Sequence, residues 1–273
     1  MSARNLLASK APALGRIRRL ASATLDAATP TKQSYSQNRE DLEAMRLLAG
    51  YDLASSGYID VGANHPSNIS NTYLFYRHGI QGIIVEPLPE LAQLFRVFRP
   101  RDHVYNLACD ESSKVRRLNV SRTPVLSSLN AANVPNPWKQ IPVPVFPLDA
   151  ITENADLEWV SFLSIDVEGR SGGVLRGASK TLSKTLLVCA EAPAGTNEEQ
   201  EVLRSFVAAD FEVISRIRFN IFAMNRNRAR FEHYARARYE SRYGPRPLPP
   251  PPPSAERTVA LAPVPGAQGD ARQ

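Results

Sequence analysis

Short unbroken apolar runs alternate with longer stretches of helical spacing through the middle of this chain. Residues 58–61, 82–86, 104–109, 162–166 and 186–191 read as strands, with 143–146 a weaker one broken by Pro144. Residues 211–215 and 220–223 read as a closing strand pair. Between them, 72–78, 90–98, 174–182 and 198–208 read as helices. The first of these has Ser70 or Asn71 available as a cap, and the second places Leu91, Leu94, Phe95 and Phe98 on one face. Continuous rather than alternating apolar runs fit strands buried on both sides. Strands separated by helices imply βαβ units, hence a mostly parallel sheet with helices on both faces. Residues 121–142 form the longest irregular stretch, and a loop of that length inside a domain is usually functional or disordered.

The flanks differ from this body. No aromatic residue precedes Tyr35, so residues 1–34 are expected to form a flexible basic arm. The domain then spans 35–225. Residues 226–243 read as a basic helix with interleaved aromatics, and 244–273 as a disordered tail around the proline tract at 247–253. The 273 residues carry 33 Lys+Arg against 27 Asp+Glu, a formal charge of +6. That sum hints at a polyanion, but its location changes the picture. Residues 1–34 hold six basic and one acidic residue, and 226–273 hold nine and four. The body has 18 basic against 22 acidic. Weak polyanion or membrane-surface contact is therefore expected of the termini alone, with no specific nucleic acid as partner. No apolar run reaches 18 residues, so no transmembrane segment is expected. The basic start lacks the apolar core of a secretory signal, which makes a cytoplasmic protein the default. Cys109 and Cys189 sit in apolar runs with no metal-ligand spacing and read as buried free thiols.

In an open parallel sheet, ligands bind beyond the carboxyl ends of the strands. Here those ends are acidic: Asp60, Glu86, Asp110, Asp166 with Glu168, and Glu191. Like charges gathered on one edge cost free energy unless something uses them. The first strand turns through Gly62, where a backbone can approach a ligand closely. Glu86, at the end of the second, is placed to accept hydrogen bonds from both hydroxyls of a ribose. A dinucleotide would need a G-x-G-x-x-G turn. Gly62-Ala63-Asn64-His65-Pro66-Ser67 offers one glycine and a proline, a poor cradle for pyrophosphate. It suits an adenosine cofactor without phosphate, such as S-adenosylmethionine.

Tyr58-Ile59-Asp60-Val61-Gly62-Ala63-Asn64, Val85-Glu86-Pro87 and Ile165-Asp166-Val167-Glu168-Gly169, in this order, resemble the FkbM-type methyltransferases. Ser36-Gln37-Asn38-Arg39-Glu40-Asp41, the His65-Pro66 pair and Arg99-Pro100-Arg101-Asp102 resemble the same family, over roughly residues 35–225. The resemblance implies a Rossmann-like class I methyltransferase fold, with a mostly parallel seven-stranded sheet and a reversed last strand pair. It implies that Asp60, Gly62, Ala63 and Asn64 line the methionine and adenosine end of S-adenosylmethionine. Glu86, beside Pro87, would hold the ribose, Cys109 and Asp110 would lie near the adenine, and Asp166 near the methyl group. It further implies O-methylation of a small-molecule or glycan acceptor. One departure stands out: the family usually carries a glutamate where this chain has Ser171.

Methyl transfer needs an aligned acceptor and a base within hydrogen-bond reach. The candidates are Asp166, Glu168 and His65. Ser127, Ser128 and Trp138 on the irregular stretch are suited to sugar contact, and Glu191 is a further acceptor-side candidate. Oxygen ligation by Asp166, Glu168 and Glu191 would suit magnesium or calcium, but the expectation is a metal-free site. A competing reading is a non-catalytic protein on the same fold, whose basic segment 226–243 grips nucleic acid or another polyanion. The sequence leaves the oligomeric state open.

Overall fold

The computed structural model describes residues 34–232 apart from 124, 125, 135, 154 and 156. All of the expected 1–34 arm but Ser34, most of the basic 226–243 segment and the 244–273 tail lie outside the described residues.

The chain enters through helix α1 (Glu40–Leu47). It then alternates through β1 (Gly57–Val61), α2 (Tyr73–Arg77), β2 (Gln81–Val85), α3 (Pro89–Phe98) and β3 (His103–Tyr105). A detour follows through β4 (Ala108–Cys109), β5 (Lys114–Val120) and β6 (Lys139–Phe146), and α4 (Leu148–Thr152) returns the chain to the main sheet. The remainder is β7 (Val160–Ile165), α5 (Ser171–Arg176), α6 (Ser179–Ser183), β8 (Thr185–Glu191), α7 (Asn197–Ala208), β9 (Phe211–Ile217) and β10 (Asn220–Asn225). The seven-stranded sheet runs β3-β2-β1-β7-β8-β10-β9. Its first five strands are parallel, and β10 lies antiparallel to both β8 and β9. Strand order reverses between β1 and β7, so their carboxyl ends flank a switch-point crevice.

The apolar runs are buried on both faces, as their continuity requires. Ile59, Val61, Ile83, Val85, Leu163 and Ile165 pack beneath α4 to α7. The alternate residues Tyr58, Ile84, Phe162, Leu187 and Phe222 pack under α1, α2 and α3. Phe231 joins this second layer against Trp159, with ring centroids 5.9 Å apart. It lies in the described part of the basic segment, residues 226–232, and its burial shows an aromatic used for packing.

Local chemistry sets the helix ends. Pro89 occupies the first turn of α3, where its missing N–H costs nothing. Pro100 follows Arg99 at the other end and disfavours helical backbone there. Thr196 Oγ1 accepts the Glu199 N–H to start α7, and Ser70 Oγ accepts the Tyr73 N–H at the start of α2.

Four sequence expectations are corrected. The run 104–109 is two strands: β3 pairs with β2, while β4 leaves for a three-stranded sheet of order β4-β6-β5. The run 174–182 breaks at Gly177 into α5 and α6. The stretch 121–142 is not wholly irregular, since Lys139–Phe146 is one strand paired with the unexpected β5. Pro142 and Pro144 lie two apart, so their missing N–H groups fall on a single edge and the ladder survives. Finally, α1 and α4 were not expected; both are too short for a clear helical period.

Candidate active site

A cleft with about 580 Å³ of empty space, partly continuous with solvent, opens beyond the ends of β1, β2 and β7. Gly62, Asn64, Glu86 and Pro87 line one side. Leu88, Leu91, Ala108, Cys109 and Leu118 make an apolar wall. Asp166, Glu168 and Arg170 line the far side, with Ser127 and Ser128 above.

Gly62 is fixed by sterics. Its φ is +80°, and a Cβ there would sit 1.9 Å from the Asp166 carbonyl oxygen. Its N–H donates to the Val85 carbonyl, and the Asp166 N–H donates to Val61. The three strand ends are therefore drawn together at one glycine. Asn64 follows with φ +56°, and its N–H donates to Glu86 Oε2 at 2.8 Å. Glu86 Oε1 accepts the Leu88 N–H, also at 2.8 Å. Asn106 Nδ2 donates to the carbonyls of Glu86 and Pro87 and pins their backbone. Burial pushes the Glu86 carboxyl up to about 8, against the Leu88 and Asn64 N–H groups, which favour its charge. Burial also raises the Cys109 thiol, so Cys109 presents a neutral apolar surface to the cleft.

Asp166, Glu168 and Glu191 each offer an oxygen within 4.8 Å of the others. Burial, and then the neighbouring Glu191, hold Asp166 well above the usual carboxylate range. Burial and then Asp166 push Glu168 up to about 7; burial and then Glu168 push Glu191 up to about 7. Carboxyls this close either share protons or hold a hard cation. The loop above is tied to the same point, because Ser128 Oγ and Asn133 Nδ2 both donate to the Glu168 carbonyl.

Several expected site residues lie elsewhere. Asp60 is buried behind the cleft, where Thr72 Oγ1 donates to its carboxylate at 2.6 Å. Asp110 is held by Arg116 at 2.6 Å and Arg170 at 2.5 Å, so its carboxylate serves an ion-pair network beside the cleft. Ala63 and His65 are buried in the turn without lining the cleft. His65 Nδ1 accepts the Ser67 and Asn68 N–H groups, which ties that nitrogen to the turn. Trp138 is 53% exposed with Lys139 over its ring, away from the cleft. Glu191 joins the acidic cluster without lining the cleft itself. Ser171 is fully buried, and the carboxylate beside it comes from Glu198, which accepts the Gly172 N–H at 2.9 Å.

Sequence reasoning missed Arg170, Glu40 and Arg99. Glu40 is buried, accepts from Asn38 and Asn220, and its charge helps raise Asp166. It lies in the 36–41 motif and Arg99 in the 99–102 motif, so a signal existed without an assignable role.

The raised carboxyls imply a pH-dependent stability. Each holds a proton in the folded state that the unfolded chain has released above its ordinary value of about 4.5. Their stabilisation is complete below that value and is lost as pH rises through 7 to 8. Asp110, Glu43 and Glu199 are lowered, and their contributions are lost on acidification below their ordinary values. The ligand-free protein is expected to be most stable near about pH 5–6 and to lose melting temperature towards about pH 8.5. Glu191→Gln should flatten that decline. A level thermal-unfolding profile across this range would contradict the protonated cluster.

A parallel sheet with a reversed final strand pair, and an acid-lined cleft at its switch point, define a Rossmann-like methyltransferase fold. The FkbM methyltransferase domain matches residues 60–213, more than half of the chain. The protein belongs to the FkbM methyltransferase family and is an S-adenosylmethionine-dependent methyltransferase. A TehB-like S-adenosylmethionine-dependent methyltransferase from Corynebacterium glutamicum is similar at 10% identity and TM-score 0.40, over 80% of this chain and 98% of that one. An O-methyltransferase from Bacillus cereus, solved with S-adenosylhomocysteine, is similar at 10% identity and TM-score 0.42, over 76% and 91%. No curated protein sequence matches the chain. Among the described residues no helix is long and apolar enough to cross a membrane.

Proposed function

We propose that this enzyme methylates a hydroxyl oxygen of a small polyhydroxylated acceptor, such as a sugar or glycan. The carrying observation is the carboxyl cluster of Asp166, Glu168 and Glu191 at the cleft, with oxygens within 4.8 Å of one another, where burial pushes Glu168 and Glu191 up to about 7, a range useful for taking a proton at neutral pH.

The cleft fits the cofactor chemically. Glu86 is a buried carboxylate with lone pairs left to accept ribose hydroxyls. Leu88, Leu91, Cys109 and Leu118 would pack on the adenine. Gly62 and Asn64 bring backbone to the cleft floor, and a sulfonium bound beside Asp166 would favour the ionised form of that carboxyl. When bound, the cofactor supplies a methyl group already activated on sulfur, so no protein nucleophile is required. The protein orients the acceptor and removes its hydroxyl proton. Asp166 is the proposed base, with Glu191 receiving or sharing the proton and Glu168 lining the acceptor side. Ser127 would donate a hydrogen bond to the acceptor from above, while Ser128, its hydroxyl committed to the Glu168 carbonyl, holds the loop in place. His65, its Nδ1 occupied within the turn, serves the loop rather than the reaction.

The test is transfer of labelled methyl from S-adenosylmethionine to a panel of sugars and nucleotide sugars, with the product bond identified. Label is expected on oxygen. Asp166→Asn should lower kcat by roughly 10²–10⁴-fold while S-adenosylhomocysteine still binds. Label found only on nitrogen or carbon would refute O-methylation, and full activity in Asp166→Asn would refute the base.

A further inference from the structure

The loop between β1 and α2, residues 62–72, has no regular structure of its own, yet much of it is buried. A buried irregular backbone needs partners for its polar groups. One side chain satisfies a carbonyl of this loop and holds two of its hydroxyls. Arg99, at the end of α3, is fully buried and is the only Lys or Arg that is buried among the described residues. Its Nε donates to the Pro66 carbonyl at 2.7 Å, its Nη1 to Thr72 Oγ1 at 2.9 Å, and its Nη2 to Ser70 Oγ at 2.7 Å. The rings of Phe95, Tyr73 and Tyr76 surround the guanidinium at 5.0, 5.1 and 5.7 Å.

The same cation reaches both strands that carry the cleft. Thr72 Oγ1 passes the contact on by donating to Asp60 Oδ2 at 2.6 Å, near the end of β1. Arg99 Nη1 also lies 3.7 Å from Asp102 Oδ2. Asp102 in turn accepts the Tyr58 hydroxyl of β1 at 2.6 Å and the Gly82 N–H of β2 at 2.9 Å. Two buried carboxylates and three points on the loop thus share one planar fork of donors, a geometry that lysine's point charge cannot reproduce.

We propose that Arg99 is a positioning residue for cofactor binding. Acting through Pro66, Ser70 and Thr72, it fixes the loop so that Gly62 and Asn64 stand in register with Glu86. This rests on assigning the cleft to the cofactor. Arg99 touches no cleft-lining atom, so its effect is indirect and must be separated from simple stability.

Thr72→Val keeps the side-chain shape and removes the hydroxyl that links Arg99 to Asp60, whereas Thr72→Ser restores it. Arg99→Lys keeps the charge and loses the fork. Phe206→Leu, in the core under α7, is a control that lowers stability far from the loop. The measurements are the melting temperature without ligand and the dissociation constant for S-adenosylhomocysteine by calorimetry. Thr72→Val and Arg99→Lys are expected to weaken binding by about tenfold or more. Thr72→Ser should bind within about threefold of wild type, and Phe206→Leu should lose melting temperature and keep affinity. If both loop variants bind like wild type while melting earlier, Arg99 is merely structural and the proposal is overturned. If the wild type itself fails to bind S-adenosylhomocysteine, the cleft assignment falls and takes this proposal with it.

Discussion

Gly62→Ala is expected to cost roughly 2–6 kcal/mol, combining backbone strain with overpacking. The new methyl would meet the Asp166 carbonyl oxygen at 1.9 Å and its carbon at 2.8 Å. Both are backbone atoms, so no side chain can swing away. The ends of β1 and β7 would have to separate, at the point where the Asp166 N–H donates to Val61. A typical domain is stable by about 5–15 kcal/mol, so the variant should be marginal. At roughly 2–4 °C per kcal/mol for a domain of this size, its melting temperature should fall by about 5–20 °C. Gly50 is the internal control: its φ is +98°, but a Cβ there meets nothing within 4 Å. Gly50→Ala should show the strain alone. Equal losses in the two variants would mean that the β1–β7 contact is looser than described.

The second large effect concerns Glu86. Glu86→Ala removes the acceptor of two backbone N–H groups, those of Asn64 and Leu88. On the proposed reading of the cleft, it also removes the carboxyl that would receive the ribose hydroxyls. Hydrogen bonds to a charged group contribute about 1.5–3 kcal/mol each, so losing two should weaken S-adenosylmethionine binding by roughly 10²–10⁴-fold. Stability should fall as well, because the Asn64 and Leu88 N–H groups lose their acceptor, with a partial offset from losing a carboxyl that is costly to bury. Calorimetry on the folded variant checks this. Retained affinity would show that the ribose is held elsewhere.

Much of the fold was legible because the signals were local. Continuous apolar runs marked β1, β2, β7 and β8, and the alternation of strand with helix gave the parallel sheet. Acidic residues at strand ends, with Gly62 after Asp60, marked the edge where the cleft lies. The failures have physical causes. Residues 104–109 form one apolar run, yet β3 and β4 belong to different sheets; a run reports burial and cannot report which partner buries it. In β5, Lys114–Val120, only the last three residues are buried and the apolar period is faint. β6 carries two prolines that ordinarily argue against a strand. Both form because they pair with each other and lay Leu118, Val143 and Val145 on Leu88 and Leu91.

Within the site the division is sharper. Position at the strand ends singled out Glu86, Gly62, Asp166 and Glu168, and the family resemblance added Asn64; all five line the cleft. Position alone treated Asp60 and Asp110 as equivalent acidic ends. Tertiary structure separates them: Asp60 turns back to Thr72 within reach of the Arg99 charge, and Asp110 pairs with Arg116 and Arg170. A strand end fixes where a Cα lies, but the side chain follows whichever opposite charge or donor the fold brings near.

The opening pattern of this chain, by itself, determined a parallel α/β sheet, an acidic carboxyl edge and a turn unsuited to pyrophosphate. These follow from periodicity and residue type, which are properties of neighbours in sequence. Only the tertiary structure decided which carboxyls meet, that Arg99 is the buried cation behind the loop after β1, and that β4 and β5 wall one side of the cleft. Those depend on residues tens of positions apart meeting in a medium of low dielectric, where a single partner decides whether a charge can remain.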